Sequence, residues 1–516
     1  MTGPQPQNHV PESVPAQIGW WAAETPEAVA VTYNGRSWTY RQLVTAAGQI
    51  SALLTDAGVV PRQVIAVIAE RGLPLVTAWT AVLDLGAVLL PIDPNTPQPR
   101  REEMLNAVDA TVVLLGGSAP DPGTRRVITL DNHLDTSAPP KPLGEDHPAA
   151  DGGYVCFTSG STGAPKAIIG RHDSLAHFLR WQRRTFAVGA ADRVAQLTSV
   201  EFDPALRDLF LPLTCGAVLC LPPTGPLAPD EALPWVAREH ITLAHVVPTV
   251  VRAWLRAAPS GLRLPRLRTV LFAGEPLTGA LVERWREQLD YHGQIVNLYG
   301  PTETTLARCW YLVSDPVEPG IQPLGMPIDD TQIRIEDPTG CTVEDGTIGE
   351  IVIATRYGTN GYLDATAKDA ARFTLPPDGL PGEVVYHTGD LGLWEGQQLR
   401  FHGRSDDQVK IYGVRVHLRA VESVLEEQPG ITQAAVVAQT DDDDAPPRLT
   451  AFLVLDSGQV AIPPHLRRTL RRRLPAAAIP ARFQVVTTLP TRPISGKLDR
   501  RQLTAAIPPP CPEGTL

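Results

Sequence analysis

The sequence predicts an α/β protein with a large N-terminal domain and a small C-terminal domain. At 516 residues and 43% hydrophobic content, the chain exceeds the size at which one core normally divides into domains. Short Val/Ile/Leu runs alternate with amphipathic stretches: the apolar runs at 64–68 and 87–90, for example, enclose the stretch at 74–85. This alternation is typical of a strand, a helix and a second strand. A polar, turn-prone segment at 403–407 then precedes a shorter unit with its own apolar runs.

We therefore divide the chain into a flexible tail at 1–15, a large domain at 16–403 and a small domain at 404–516. The tail lacks the apolar stretch of a signal peptide, and no apolar run reaches membrane-spanning length. The six cysteines are scattered, without a Cys-x-x-Cys pair, so we expect reduced thiols in a soluble, cytoplasmic protein with no membrane partner. The net charge of −11 argues against a nucleic-acid partner, which would require a basic surface.

A hydroxyl- and glycine-rich loop ending in one lysine occupies residues 157–166 and lies between two apolar runs. Its glycines let backbone N–H groups approach an anion, its hydroxyls add donors, and Lys166 can place a positive charge on phosphates. The spacing differs from the Walker loop, whose lysine directly follows its last glycine. A flexible linker is the alternative, but linkers seldom separate two strand-like runs. The candidate phosphate-binding residues are Thr158, Ser159, Gly160, Ser161, Thr162, Gly163 and Lys166.

This loop resembles the phosphate loop of the adenylate-forming superfamily, whose members activate a carboxylate with ATP and Mg²⁺. Motifs at 297–305, 386–391 and 493–500 follow in family order and extend the resemblance over most of the chain. The resemblance implies a large domain of mixed β-sheets packed with helices. It also implies a small, mobile α+β domain that is joined through a hinge at Asp406.

The segment 297–305 resembles the adenine- and metal-binding segment of this superfamily. Tyr299 would stack on the purine, and Gly300, the next residue, would also belong to the nucleotide site. Thr302 would contact the region of the α-phosphate. Glu303 would hold Mg²⁺, a hard cation suited to carboxylate and phosphate oxygens. The alternative is a Gly-Pro turn in which the Thr and Glu cap a helix.

Two later motifs complete the predicted nucleotide site. Asp390 would bond the ribose hydroxyls, and Arg404 would face the ribose or a phosphate. Lys497 would neutralise the attacking carboxylate and then the pentacovalent phosphate, so the resemblance makes it the catalytic lysine, acting with Thr302 and Glu303. Taken alone, each of these motifs is an ordinary turn.

The segment around Asp203 resembles the pocket segment of amino acid adenylation domains, in which an aspartate binds the substrate ammonium. Alternatively, Asp203 caps the helix that the following proline begins. Arg207 could pair with Asp203, bind an acidic substrate, or pair with Asp208 or Glu201, and we favour a structural ion pair. The resemblance assigns the pocket to Asp203, Pro204, Arg207, His245, Leu271, Ala273, Leu298, Leu306, Ala307 and Lys497.

The implied activity is formation of an aminoacyl-AMP with release of pyrophosphate, followed by attack of a thiol on the anhydride. Sixteen residues follow Arg500, so we expect the thiol to be the phosphopantetheine of a free-standing carrier protein. We expect a small or apolar α-amino acid as the substrate. A β-amino acid, or free CoA as acceptor, is the alternative. An inactive binding protein is disfavoured because the site residues are present, and a luciferase-like oxidation is disfavoured by Asp203.

Overall fold

The computed structural model describes residues 12–117, 123, 125–130, 143–144, 152–159, 165–223, 225, 227–374, 383–404, 408–440, 447–455, 462, 465–490, 498 and 500–505. The helices are α1 Val14–Glu24, α2 Tyr40–Asp56, α3 Leu73–Asp84, α4 Gln98–Ala107, α5 His172–Thr185, α6 Pro204–Thr214, α7 Pro229–Arg238, α8 Pro248–Ala257, α9 Gly279–Leu289, α10 Ala367–Ala370, α11 Leu418–Glu426, α12 Leu466–Arg473 and α13 Arg500–Ala505. Short 3-10 turns lie at Thr302–Thr304 and Ala476–Ala478.

The strands of the large domain are β1 Val29–Tyr33, β2 Arg36–Thr39, β3 Val64–Ala69, β4 Val88–Ile92, β5 Val112–Gly116, β6 Arg126–Leu130, β7 Gly153–Ser159, β8 Pro165–Arg171, β9 Arg193–Ala195, β10 Val218–Leu221, β11 Leu243–Val246, β12 Thr269–Ala273, β13 Gln294–Tyr299, β14 Cys309–Leu312, β15 Met326–Pro327, β16 Thr331–Glu336, β17 Gly349–Thr355, β18 Phe373–Thr374, β19 Val384–Glu395 and β20 Gln398–Arg404. The small unit contributes β21 Gln408–Ile411, β22 Val414–His417, β23 Ile431–Gln439, β24 Arg448–Leu455 and β25 Arg482–Val485.

Two large mixed sheets form the body of the protein. The six-stranded sheet has the order β6-β5-β3-β4-β7-β8 and is parallel except for the β7–β8 pair. The nine-stranded sheet has the order β15-β14-β13-β12-β11-β9-β10-β1-β2, with β2, β14 and β15 antiparallel at its edges. The largest apolar core contains side chains from α2, α3, α5 and α6 and from strands of both sheets. Helices therefore pack between the sheets, and the predicted α/β class is confirmed.

Local sequence accounts for the elements at the centre of this arrangement. The predicted strand, helix, strand rhythm appears as β3, α3 and β4. Strand β4 is buried at every position, because a parallel strand is covered on both faces. Helix α2 begins with a capping box in which the Gln42 amide donates to the Thr39 hydroxyl at 3.2 Å and the Thr39 amide donates to the Gln42 side chain at 2.9 Å.

A third, antiparallel sheet and the small unit complete the described fold. The third sheet has the order β16-β17-β19-β18, with β20 paired to β19. The small unit contains the β21–β22 hairpin and a three-stranded sheet β23-β24-β25, which packs with α11 and α12 around a separate apolar core. Its predicted α+β composition is confirmed. The predicted boundary at 403/404 falls at the end of β20, and the domain division itself stays a prediction.

The predicted tail at 1–15 is too long at its C-terminal end. Helix α1 begins at Val14, inside that range, because the Ser13 hydroxyl accepts a hydrogen bond from the Ala16 amide at 3.2 Å and Pro15 suits the first helical turn. The Val14 side chain is fully buried. Across the described part of the chain, every helix is too short or too polar to cross a membrane.

Candidate active site

Strands β7 and β8 flank the predicted phosphate loop. They pair antiparallel with Thr158 opposite Lys166, and Ser159 is the last residue of β7. This pairing carries the two ends of the loop side by side. Several predicted site residues lie outside the described residues, namely Gly160, Ser161, Thr162, Gly163, Asp406 and Lys497.

Lys166 is bound to an acidic residue that the sequence analysis did not identify. Its Nζ lies 2.5 Å from Asp369 Oδ1 and 5.7 Å from the centre of the Tyr362 ring. The Thr366 hydroxyl donates to the other oxygen of Asp369 at 2.7 Å. Burial raises the pKa of Asp369, but the hydrogen bonds from Lys166 and Thr366 outweigh it and lower the pKa. In this structure, Asp369 therefore balances the charge of Lys166.

The end of β13 brings the predicted adenine segment close to the following turn. A Cβ added to Gly300 would lie 2.5 Å from the Leu306 carbonyl oxygen and 2.6 Å from the Ala307 Cα, so this close approach requires glycine. Tyr299 is buried, and its hydroxyl donates to Asp390 Oδ2 at 2.7 Å. Burial and the neighbouring Asp390 raise the pKa of Tyr299 well above its ordinary value. The phenol therefore remains a hydrogen-bond donor.

The two predicted ribose-site residues face each other across strands β19 and β20. Asp390 is opposite Arg404 in the register, and their side chains form an ion pair. Arg404 also donates to the Thr388 carbonyl at 3.2 Å. The structure thus brings Tyr299, Asp390 and Arg404 into one cluster at the edge of the third sheet.

Glu303 is fully buried in the 3-10 turn that follows β13. Its Oε1 accepts hydrogen bonds from the Tyr362 hydroxyl and from Arg415 Nη1, the latter at 2.7 Å. Burial raises the pKa of Glu303, but the Arg415 charge and the hydrogen bonds to the carboxylate, including that from Tyr362, together outweigh it and lower the pKa. Among the described residues, nothing donates to Oε2. A buried carboxylate oxygen without a donor fits a metal ligand, and Mg²⁺ would take its other oxygens from phosphates and water.

Asp203 lies at the N-cap position of α6, yet its side chain makes no capping hydrogen bond. Instead, Oδ1 accepts a hydrogen bond from the Thr302 hydroxyl at 3.0 Å. The side chain is buried, and this burial raises its pKa to about 6, with opposing contributions from Thr302 and the Arg207 charge. Of the two roles considered for Asp203, capping is therefore absent in this structure.

Arg207 pairs with its neighbour in the sequence. Its Nε and Nη2 lie 3.2 and 3.1 Å from Asp208 Oδ1, and His245 Nδ1 lies 3.1 Å from the same oxygen. The Thr198 hydroxyl donates to Asp208 Oδ2 at 2.8 Å. Burial, followed by the Arg207 charge, lowers the pKa of His245 to about 4. This buried cluster therefore contains one cation, one anion and a neutral imidazole at pH 7.

The predicted apolar pocket residues belong to one region of the largest core. In the register of the nine-stranded sheet, His245 lies opposite Leu271, and Ala273 lies opposite Leu298, on one face of the sheet. Leu306 follows the 3-10 turn with a φ of 61°. This left-handed conformation is uncommon outside glycine and persists only where the surrounding structure holds the backbone in place. The pocket residues in or against this core are Leu271, Ala273, Leu298, Leu306 and Ala307.

Three residues at this site were missed in the sequence: Tyr362, Asp369 and Arg415. Each is a single polar residue in a loop, a short helix or a hairpin, and its spacing along the chain does not indicate a partner. Arg415 alternates with Val414 and Val416 in β22, which looks like an ordinary solvent-facing position of a strand. Only the folded chain reveals that it contacts Glu303.

The model for AMP-binding enzymes matches residues 18–363, and the model for the AMP-binding enzyme C-terminal domain matches residues 420–497. The chain belongs to the AMP-binding enzyme family. The predicted membership of the adenylate-forming superfamily is thereby confirmed, as are ATP and Mg²⁺ as the cofactors of this AMP-binding enzyme class.

Curated relatives of this AMP-binding enzyme are peptide synthetases. The dimodular nonribosomal peptide synthase of Bacillus subtilis (strain 168) is 33% identical over 498 residues, which cover 94% of this chain and 20% of the relative. The phosphinothricin tripeptide synthetase PhsC of Streptomyces viridochromogenes is 34% identical over 502 residues, covering 93% of this chain and 44% of the relative. The chain thus spans less than half of the length of both relatives.

Solved structures agree with the fold. A nonribosomal peptide synthetase protein containing adenylation and PCP domains, bound to a vinylsulfonamide inhibitor, matches with a TM-score of 0.82 and 28% identity, covering 96% of this chain and 84% of that one. The Vibrio cholerae adenylation domain AlmE, in complex with glycyl-adenosine-5'-phosphate, has a TM-score of 0.82 at 22% identity, covering 98% of this chain and 100% of that one. The second likeness concerns the fold alone.

Proposed function

We propose that this AMP-binding enzyme activates the carboxylate of an amino acid as an aminoacyl-AMP and transfers the aminoacyl group to the phosphopantetheine thiol of a separate carrier protein. The observation that carries the proposal is the buried Asp203 carboxylate, which accepts a hydrogen bond from Thr302 while Arg207 is paired with Asp208. Among the described residues, no arginine or lysine forms an ion pair with Asp203, and such a buried anion favours a cationic ligand.

The electrostatics of the pocket support an ammonium ligand. A pKa of about 6 leaves Asp203 mostly ionised at pH 7, although ionisation is costly in a buried position. Arg207 forms its ion pair with Asp208, so its charge acts on Asp203 without a direct ion pair between them. The ammonium of an amino acid would supply a charge-assisted hydrogen bond there and lower the pKa again.

The walls of the pocket support a small or apolar side chain. Leu271, Leu298 and Leu306 are nearly fully buried, and the Arg207–Asp208 pair has no net charge. A charged substrate side chain would lose its hydration without gaining a partner. An α-amino acid is our first choice, and a β-amino acid is the alternative because a small shift of the walls would bring its amine to Asp203.

In the first step, a carboxylate oxygen of the amino acid attacks the α-phosphorus of ATP, the bond to the bridging oxygen breaks, and pyrophosphate leaves. Lys166 would contact the phosphates after leaving Asp369, Asp390 would accept hydrogen bonds from the ribose hydroxyls, and Lys497 would approach the attacking carboxylate. Mg²⁺ at Glu303 would offset negative charge on the phosphates. Positioning and charge stabilisation supply most of the rate in such a reaction.

In the second step, a thiol sulfur attacks the carbonyl carbon of the anhydride, the carbon–oxygen bond breaks, and AMP leaves. A carrier protein is the proposed source of the thiol because the relatives are peptide synthetases and one similar structure contains a PCP domain. Free CoA is the alternative acceptor. A movement of the small unit about Asp406 between the steps is part of the proposal.

Substrate-dependent release of pyrophosphate tests the first step. A panel of α- and β-amino acids is compared with the matching acids that lack the amine, at constant Mg·ATP. We expect turnover with one amino acid and none with its deamino analogue. The Asp203→Asn variant should lower kcat/KM for that amino acid by about 30-fold or more. Equal turnover of the deamino acids would contradict the amino acid proposal and would favour an acyl-CoA ligase.

The acceptor is tested separately. The loaded aminoacyl-AMP is offered to phosphopantetheinylated carrier proteins, to the same carriers without the prosthetic group, and to free CoA. Thioester formation only with the phosphopantetheinylated carrier supports the proposal, whereas faster transfer to free CoA would contradict it.

A further inference from the structure

The β21–β22 hairpin of the small unit contacts the large domain at one buried carboxylate, Glu303, and one half-buried carboxylate, Glu275. Arg415 Nη1 donates to Glu303 Oε1 at 2.7 Å, and the Gly413 amide donates to Glu275 Oε1 at 2.8 Å. The second carboxylate also accepts a hydrogen bond from the Thr249 amide at the start of α8, at 2.9 Å. The hairpin is therefore held at its tip and along one strand.

The tip fits closely against the large domain. Gly413 has a φ of 76°, which favours glycine, and a Cβ added there would lie 3.2 Å from Val247 Cγ2. Within the hairpin, Arg415 Nε donates to Gln408 Oε1, across the two strands. The hairpin thus presents Arg415 in a fixed orientation, with its guanidinium aimed at Glu303.

Arg415 contacts the same carboxylate that would hold a metal ion. Glu303 has no exposed surface, and a buried carboxylate requires a positive charge nearby. The side chain of Arg415, which is 16% exposed, supplies that charge in the present conformation. A divalent ion at Oε2 would stand a few ångströms from the guanidinium, and two cations repel strongly at that distance in a poorly solvated site.

We propose that Arg415 replaces the metal at Glu303 when the hairpin docks, so that metal binding at Glu303 and docking of the hairpin oppose each other. The inference rests on the proposed function, because it couples the two half-reactions. While Mg²⁺ and the phosphates occupy the site, the hairpin is displaced. When magnesium pyrophosphate leaves, Arg415 neutralises Glu303 and the hairpin docks for thiol attack. Arg415 is therefore a positioning residue for the second step.

The first test measures both sides of this coupling on the whole chain, without an amino acid or a carrier. Hydrogen–deuterium exchange of the 408–417 backbone is followed while MgCl₂ is titrated at constant ionic strength, in the presence of α,β-methylene-ATP. We expect exchange in the hairpin to rise as Mg²⁺ binds. Calorimetry under the same conditions gives the half-saturating concentration of Mg²⁺.

Three variants separate the effect of Arg415 from that of docking in general. In Arg415→Gln, hairpin exchange should be high without Mg²⁺, and the half-saturating concentration of Mg²⁺ should fall by roughly fivefold or more, since coupling free energies are reciprocal. In Glu275→Gln, exchange at the tip should also rise, but the affinity for Mg²⁺ should change much less because the metal carboxylate is not altered. Arg415→Lys keeps the positive charge on a shorter side chain and should give an intermediate affinity for Mg²⁺.

An unchanged Mg²⁺ affinity in both Arg415 variants would overturn the proposal, as would hairpin exchange in the wild type that does not respond to Mg²⁺. Thermal melting verifies that the variants fold. If Arg415→Gln does not fold, Arg415→Lys provides the test. The pyrophosphate-release assay fails independently if the proposed function is wrong. The Mg²⁺-affinity and hydrogen-exchange measurements do not depend on the result of that assay.

Discussion

The Thr302 hydroxyl donates a hydrogen bond to the Asp203 carboxylate at 3.0 Å, between residues 99 positions apart in the sequence. Thr302 begins the turn that carries Glu303, and Asp203 precedes helix α6. This bond links the proposed amino acid pocket to the proposed metal site. Changes at Asp203 are therefore expected to affect both substrate binding and the stability of the buried site.

Asp203→Asn should weaken the binding of an amine-bearing substrate by about 2 to 5 kcal/mol, because the variant removes one partner of a buried charge pair. Asparagine keeps an oxygen for the Thr302 hydroxyl, so the backbone of the turn should not move. The measurement is KM and kcat for pyrophosphate release. Thr302→Val serves as the comparison, since it removes the hydrogen bond and keeps the carboxylate. If both variants had the same small effect, the ammonium role would be rejected.

Asp203→Asn should also stabilise the ligand-free protein at neutral pH. Burial raises the pKa of Asp203 from 3.8 to about 6, so between these values the folded state keeps a proton that the unfolded state has lost. The stability of the wild type therefore falls as pH rises through this window. Since one pKa unit corresponds to about 1.4 kcal/mol, the advantage of Asp203→Asn is limited to about 3 kcal/mol at pH 7 and should vanish below about pH 4.

Urea denaturation of wild type and Asp203→Asn at pH 4 and pH 7 measures this difference. A constant difference between the two pH values would show that Asp203 is not the titrating group.

Asp208→Asn should destabilise the protein strongly. It leaves Arg207, a residue that is 3% exposed, without its anion, and breaking a buried pair on one side costs about 3 to 5 kcal/mol. Replacing both residues, as in Arg207→Met with Asp208→Asn, should recover much of the loss because no uncompensated charge remains. Denaturation of the two single variants and the double variant gives the coupling energy. Additive effects would mean that the pair does not act as a unit.

Asp369→Asn should tighten nucleotide binding by a few fold, below about 1 kcal/mol. Under the proposed function, Lys166 would have to leave Asp369 in order to reach a phosphate, and a neutral asparagine would hold the lysine less firmly. Equilibrium binding of α,β-methylene-ATP measures the change. Lys166→Met is the matched variant and should weaken binding. Weaker binding in Asp369→Asn would instead mean that Asp369 orients the lysine.

The sequence predicted the fold class and much of the site because those signals are local. The hydrophobic rhythm at 64–90 depends on neighbouring residues, and β3, α3 and β4 follow it closely. Asp390 and Arg404 were predicted from their motifs, and the pairing of β19 with β20 brings them together. The start of α1 was missed because one serine cap in a polar segment is a weak signal.

The sequence by itself determined the family, the α/β architecture and the identity of most candidate site residues, because these depend on composition, periodicity and short motifs. Tertiary structure decided which partner each charged group takes, including the choice of Asp208 among the partners that the sequence allowed for Arg207. It turned Arg207 toward Asp208, bound Lys166 to Asp369, and brought Arg415 to Glu303 from 112 residues away. The physical reason is that burial makes each ionised side chain depend on its nearest countercharge, and chain folding sets that neighbour independently of spacing in the sequence.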